Sequence, residues 1–180
     1  MLPCAPDAVI LRHLLSIAVL PFTVAVLVPM WLARRHHVDL ALGTTPPAIA
    51  TQLAGIVGLG IGLALFTASL RQFAVRGKGT LAPWDPPKYL VVQGPYRYVR
   101  NPMISGVLFL LAGEALVLRS WPHGQWVLLF LIVNLLYIPA FEEPQLERRF
   151  GASYREYRQH VGRLLPRLRP WRPPGGGVGD

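Results

Sequence analysis

Glu142 and Glu143 stand side by side where a long apolar run ends. Upstream, the stretch Gly94–Gly106, "GPYRYVRNPMISG", places Tyr96, Arg97, Tyr98, Arg100 and Asn101 against the start of another apolar run. Facing carboxylates and guanidiniums can do two things. They can form an ion-paired clasp that fixes two helices, or a clamp that binds a polar ligand. Exposed ion pairs contribute only about 0–1 kcal/mol, which is a weak reason for so elaborate a polar knot. The residues alone leave both readings open. Proton-transfer chemistry has little support, because Ser105 and Ser153 have no activating histidine nearby and no acid/base dyad stands out. There is no P-loop and no dinucleotide fingerprint. His13, His36, His37, His123, His160 and the single Cys4 are scattered, so the spacing gives no metal site and no disulfide. Catalytic residues proper stay unassigned.

The elements that must position these groups are membrane helices. Hydrophobic residues make up 52% of the 180 residues and charged ones only 15%, too apolar for an ordinary soluble domain. A spanning helix needs roughly 20 apolar residues. The pattern predicts helices over about 9–33, 47–70, 103–118 and 125–141, the last two forming a tight hairpin around Arg119–Gly124. The first run ends in "WLARRHH" rather than a small-residue cleavage pattern, so it reads as a retained helix. Gly55, Gly58, Gly60 and Gly62 predict close packing of the second helix against a neighbour. Glu114 interrupts the third, facing a cavity or lying near the far interface. Asn101 suits an N-cap and Pro102 the first helical position.

Residues 71–102 form a polar linker in which Pro83, Pro86 and Pro87 forbid a continuous helix. Beyond Glu143, Leu146, Phe150, Tyr154, Tyr157, Val161, Leu164 and Leu165 recur at helical steps with arginines opposite. That predicts a basic amphipathic helix over 144–165 lying on the membrane surface, with Gly151 as a breaking point and a disordered tail over 173–180. The expected fold is therefore an all-α integral membrane protein: about four transmembrane helices and a C-terminal interfacial helix in one domain over 1–172.

The net charge is +9. Fifteen of the eighteen Lys and Arg fall at the N-terminus, in the linker and after residue 147. Arg34, Arg35 and Arg119 fall on the other side. This is the positive-inside pattern, with both termini and the polar knot cytoplasmic. Its basic residues face anionic headgroups of the lipid bilayer, and nucleic acid is not expected as a partner.

"GPYRYVRNPMISG", followed after a helical hairpin by "EEPQLERRFGASYREY", resembles the membrane methyltransferases related to isoprenylcysteine carboxyl methyltransferase; phospholipid methyltransferases share the NPM and EEP elements. The resemblance covers about residues 71–166. It implies S-adenosyl-L-methionine as methyl donor and a lipophilic small-molecule or lipidated acceptor. By position it implies that Lys88, Tyr89, Leu90, Val91, Tyr96, Asn101, Pro102, Met103 and Ile104 line the cofactor pocket. Glu142 then contacts the cofactor, with Glu143 beside it. The prenylcysteine branch has His at Asn101, Tyr at Ile104 and a substrate-linked Arg at about Ile138; the Asn matches the phospholipid branch. Two other readings stand beside it: the "EEPQLERRFG" pairing favours methyl transfer over the first, and Ile104 and Ile138 keep the second open. One is an NADPH-dependent membrane reductase of the sterol-reductase type. The other is a non-catalytic membrane scaffold retaining the fold.

Overall fold

The computed structural model describes residues 18–76, 90 and 92–172. The start of the first predicted helix, Lys88, Tyr89, Val91 and the tail over 173–180 lie outside the described residues. Every regular element described is helical. Helix α1 opens with a π-helical segment, Ala18–Leu27, and continues as Val28–Arg35. Helix α2 spans Pro46–Arg76, α3 Pro102–Leu118, α4 Trp121–Tyr137 and α5 Glu143–His160. A 3-10 turn, Gly94–Arg97, precedes α3, and a π-helical turn, Ile138–Glu142, joins α4 to α5.

Pro46–Gln72 and the continuous helical unit Trp121–His160 are each long and apolar enough to cross a membrane; Pro102–Leu118 is a shorter apolar helix. Leu53, Ile56, Val57, Ile61 and Leu63 on α2, and Leu128, Leu129, Ile132, Val133, Leu135 and Leu136 on α4, are exposed on the protein surface. Exposed apolar surface on this scale suits lipid as the solvent. The apolar part of the Trp121–His160 unit ends at Phe141, and the charged residues from Glu142 onward lie beyond it.

Glycine joins α2 to α3. A Cβ added at Gly62 would lie 2.7 Å from the Gly106 carbonyl oxygen, and one at Gly113 2.8 Å from that of Gly55. The helices run antiparallel, with Gly55 against Gly113 and Gly62 against Gly106. Each pair of glycines is about two helical turns apart, so the close approach recurs along one stripe. Lipid supplies no hydrophobic drive between helices, so contact at this range depends on small residues. Gly60 has open space around it and takes no part.

The end of the molecule that carries the α3–α4 turn is closed by side-chain bonds to backbone. The turn has only two non-helical residues, Arg119 in a left-handed conformation (φ 48°) and Ser120. Helix α4 accordingly starts at Trp121, a turn earlier than the apolar pattern suggests. Buried Gln52 donates to the Ala41 and Val117 carbonyls and accepts from the Gly43 amide, tying the α1–α2 loop to the end of α3. Helix α1 is held by α4. His123 is hydrogen-bonded to Ser120 Oγ (2.7 Å) and to the Pro29 carbonyl (3.1 Å), and Trp126 Nε1 donates to the Val24 carbonyl. Pro29 has no N–H for the carbonyl five residues back, the one the π register would use. Trp126 supplies the missing donor.

Candidate functional site

At the opposite end, α2 runs on to Arg76, past its predicted end, and the 3-10 turn docks against it. Gly94 has a φ of 55°, and a Cβ there would lie 2.7 Å from the Gln72 side-chain nitrogen. Both the left-handed backbone and the close approach favour glycine. Pro102 opens α3, as predicted. Asn101 occupies the N-cap position, but its side chain makes no capping bond. The Asn101 carbonyl instead accepts from the Ser105 amide and hydroxyl, which leaves the Asn101 amide group available to the site.

The largest departure from the predicted elements follows α5. The helix stops at His160, not near 165, and residues 161–171 form an irregular strap against the polar knot. The strap carbonyls of Gly162 and Arg163 accept from the Arg100 and Asn101 amides (2.8 and 3.1 Å). The Leu164 carbonyl accepts from Ser105 Oγ (2.7 Å). In return the Arg167 and Trp171 amides donate to the Tyr98 and Arg97 carbonyls (both 2.9 Å), and Arg97 Nε donates to the Trp171 carbonyl. Gly151, with φ 55° and ψ −127°, kinks α5 as expected. The apolar stripe of α5 then serves protein packing: Tyr154, Tyr157 and Val161 are buried against Leu90, Val92, Leu146, Phe150 and Trp171. Leu90, expected in a cofactor pocket, joins this cluster. The Tyr157 hydroxyl donates to the Tyr96 carbonyl (2.6 Å) and pins the 3-10 turn.

The two neighbouring glutamates occupy different environments. Glu143 Oε1 accepts from Arg100 Nη1 at 2.9 Å and from Arg163 Nε at 2.7 Å, and Arg158 lies 3.8 Å from Oε2. The Arg100 and Glu143 side chains are only 9% and 6% exposed. Arg100 also donates to the Val161 carbonyl and the Tyr154 hydroxyl. Burial would raise the Glu143 carboxyl. The Arg163 hydrogen bond and the charges of Arg100 and Arg163 outweigh it and hold Glu143 below the ordinary carboxylate range. Here the ion-paired clasp, one of the two readings left open by the residues, is present.

Glu142 makes no hydrogen bond or ion pair to another described residue. Burial, and then the charge of Glu143, push its carboxyl above the ordinary range, with Arg100 opposing. The Tyr96 hydroxyl is raised by burial and by the charge of Glu142, so Tyr96 stays a neutral phenol. The π-helical turn sets this division. Pro139 within it and Pro144 just beyond it lack N–H groups, and the Glu143 amide bonds the Ile138 carbonyl five residues back. Ile138 is fully buried within the turn.

The structure thus brings Tyr96, Asn101, Pro102, Met103, Ile104, Glu142 and Glu143 to one end of the helix bundle, with Pro102 buried and Met103 and Ile104 half-buried. Arg163 and the Val161 carbonyl were not foreseen, and nothing in residue type or spacing marks them. Tyr154 and Tyr157 carried a helical-periodicity signal that was read as membrane contact.

Among known proteins, residues 50–153 match the family model described as phospholipid methyltransferase. A segment of 76 residues, 41% of this chain, is 42% identical to methanethiol S-methyltransferase 2 of Bradyrhizobium diazoefficiens. A segment of 83 residues, 44% of this chain, is 40% identical to methanethiol S-methyltransferase of Pseudomonas deceptionensis. The matches span only 27% and 29% of those proteins' lengths. They lend the reductase reading no support.

Proposed function

The chain belongs to the phospholipid methyltransferase family, and on that premise we propose that it transfers a methyl group from S-adenosyl-L-methionine to a lipophilic acceptor at the Tyr96–Asn101–Glu142 site. The observation that carries this reading is the contrast between the two glutamates. Glu143 is consumed by a cationic clasp, while Glu142 is a half-buried carboxylate beside a neutral phenol. A carboxylate raised by burial and by a like charge gains most from a cationic partner. The donor carries an ammonium, a sulfonium and a ribose diol, so the residues present fit it.

When bound, the donor supplies an electrophilic methyl group: the acceptor's lone pair forms the new bond to carbon, and the breaking C–S bond leaves its electron pair on sulfur. The chain's task is alignment and exclusion of water. Glu142 accepts hydrogen bonds from a cationic or diol group. Tyr96 and the Asn101 amide offer neutral polar contacts, and buried Pro102 with Met103 and Ile104 supplies apolar lining. No strong base is required, since a thiol acceptor loses its labile proton to water as the new S–C bond forms.

The acceptor reaches the site laterally from the bilayer, on the cytoplasmic side. Fully buried Ile138 offers no cation to an acceptor carboxylate, which favours a neutral acceptor over a prenylcysteine. A lipophilic thiol is the leading class, given the names of the two relatives. The test is methyl transfer from labelled S-adenosyl-L-methionine by the purified protein in lipid nanodiscs, offered alkyl thiols, phosphatidylethanolamine and a prenylcysteine in parallel. Labelled thioether is the expected product. Binding of the donor without transfer to any acceptor would leave a scaffold, and no donor binding would overturn the reading.

A further inference from the structure

We propose that the 161–171 strap is a membrane-docking loop that reads anionic headgroups and, through its backbone, holds the polar knot in place. One face of the strap is committed to the protein, as its bonds to Arg97, Tyr98, Arg100, Asn101 and Ser105 show. The other face is bare. Leu168 is 98% exposed and Leu165 82% exposed, more open than any apolar side chain of the lipid-facing stretches of α2 and α4. Two leucines on a short irregular segment cannot be hidden by rotating a helix, and nothing in the described chain covers them. Arg169 and Arg172 flank them and are exposed, as is Arg167, whose guanidinium also donates to the His160 carbonyl. Apolar side chains that enter a leaflet, flanked by cations that remain among headgroups, form the surface that binds anionic lipid.

The partner is a lipid surface rather than a second copy of the chain, because the charge selects it. Seven of the eight arginines from Arg148 onward lie on α5 and the strap and Arg172 follows directly, against Glu147, Glu156 and the already paired Glu143. Like charge opposes self-association through this face. An anionic leaflet is complementary to it, each nearby cation strengthening the attraction roughly fivefold. The docked strap also limits the freedom of the knot, since the Gly162 and Arg163 carbonyls are the acceptors for the Arg100 and Asn101 amides. Lipid charge thereby acts on the residues beside Tyr96 and Glu142 without touching them.

The test uses the full chain with Cys4 replaced by Ser and Leu168→Cys carrying a polarity-sensitive fluorophore. The protein is placed in detergent, in nanodiscs of phosphatidylcholine, and in nanodiscs containing phosphatidylglycerol. Position 168 has no packing partner, so the label leaves the fold intact, and an unchanged melting temperature checks this. The expected result is a blue shift and quenching by chain-brominated lipid in phosphatidylglycerol nanodiscs. Both should be largely lost with Arg167→Gln/Arg169→Gln or in high salt. A label that stays water-exposed in anionic nanodiscs overturns the proposal. So does insertion that is equal in neutral and anionic lipid and indifferent to the arginine variants. A blue shift in detergent that grows with protein concentration points to a second copy and also overturns it.

Discussion

Replacing each glutamate of the pair by glutamine should separate a clasp from a ligand contact. In Glu143→Gln the shape is kept, but Arg100 loses its carboxylate while it remains buried. Removing one partner of a buried ion pair costs roughly 3–5 kcal/mol. The lower end applies here, because Arg100 keeps its bonds to the Val161 carbonyl and Tyr154 hydroxyl, and Arg163, at 30% exposed, can rehydrate. A glutamine Oε1 can still accept from Arg100 and Arg163, but it is neutral, and the N–H2 group that replaces Oε2 would face Arg158. The expected loss is about 3 kcal/mol, read as a melting temperature several degrees lower in detergent. In Glu142→Gln no ion pair to a described residue is broken, and a charge disfavoured by burial and by Glu143 is removed. Stability should hold or rise. Affinity for S-adenosyl-L-methionine, however, should fall: a charged hydrogen bond is worth about 1.5–3 kcal/mol, or about tenfold to a hundredfold. Calorimetric titration and thermal melting of both variants give a crossed pattern. If Glu143→Gln weakens donor binding at an unchanged melting temperature, while Glu142→Gln binds as the parent does, the two roles are reversed and the clasp argument is wrong.

Truncation after His160 should abolish donor binding while leaving membrane insertion intact, checked by flotation and calorimetry, because the carbonyls of Gly162, Arg163 and Leu164 leave with the strap. Gly62→Ala should lower the melting temperature markedly, since the new Cβ would lie 2.7 Å from the Gly106 carbonyl; Gly60→Ala, which meets nothing, should leave it unchanged. Fusions of reporters at residue 40 and at the C-terminus should report opposite sides of the membrane. Lowering pH should act in two ways. The depressed Glu143 carboxyl gives stability that is full above the unfolded carboxylate value and lost as pH falls through its lower folded value. Donor affinity should weaken at higher pH than that, as the raised Glu142 carboxyl takes up a proton; melting and titration across the acid range separate the two.

What could be read from the residues follows a physical divide. Side-chain periodicity and small-residue spacing are written in residue types, so the α2 glycine stripe, Pro102 at the start of α3 and the α3–α4 hairpin were legible. Gly151 was legible too, since its lack of a Cβ marks a permitted kink. Contacts made by the backbone carry no such mark. The strap meets the knot almost wholly through amides and carbonyls, and "VGRLLPRLRPW" keeps the mixture of arginine and apolar residues of the helix before it. Its leucines extended the helical pattern to 165 on paper, although Pro166 already disfavoured helix at the residue before it. The same blindness assigned both glutamates to one task. Adjacent residues on a regular helix point in different directions, but which one meets the arginines depends on the π-helical turn Ile138–Glu142, where one extra residue shifts the register. The ion pair to Arg163 then requires the chain to leave the helix at Val161 and double back. Residue types therefore located the polar end of the bundle, and irregular backbone divided its labour: Glu143 locks the knot to the strap, and Glu142 stays outside that lock.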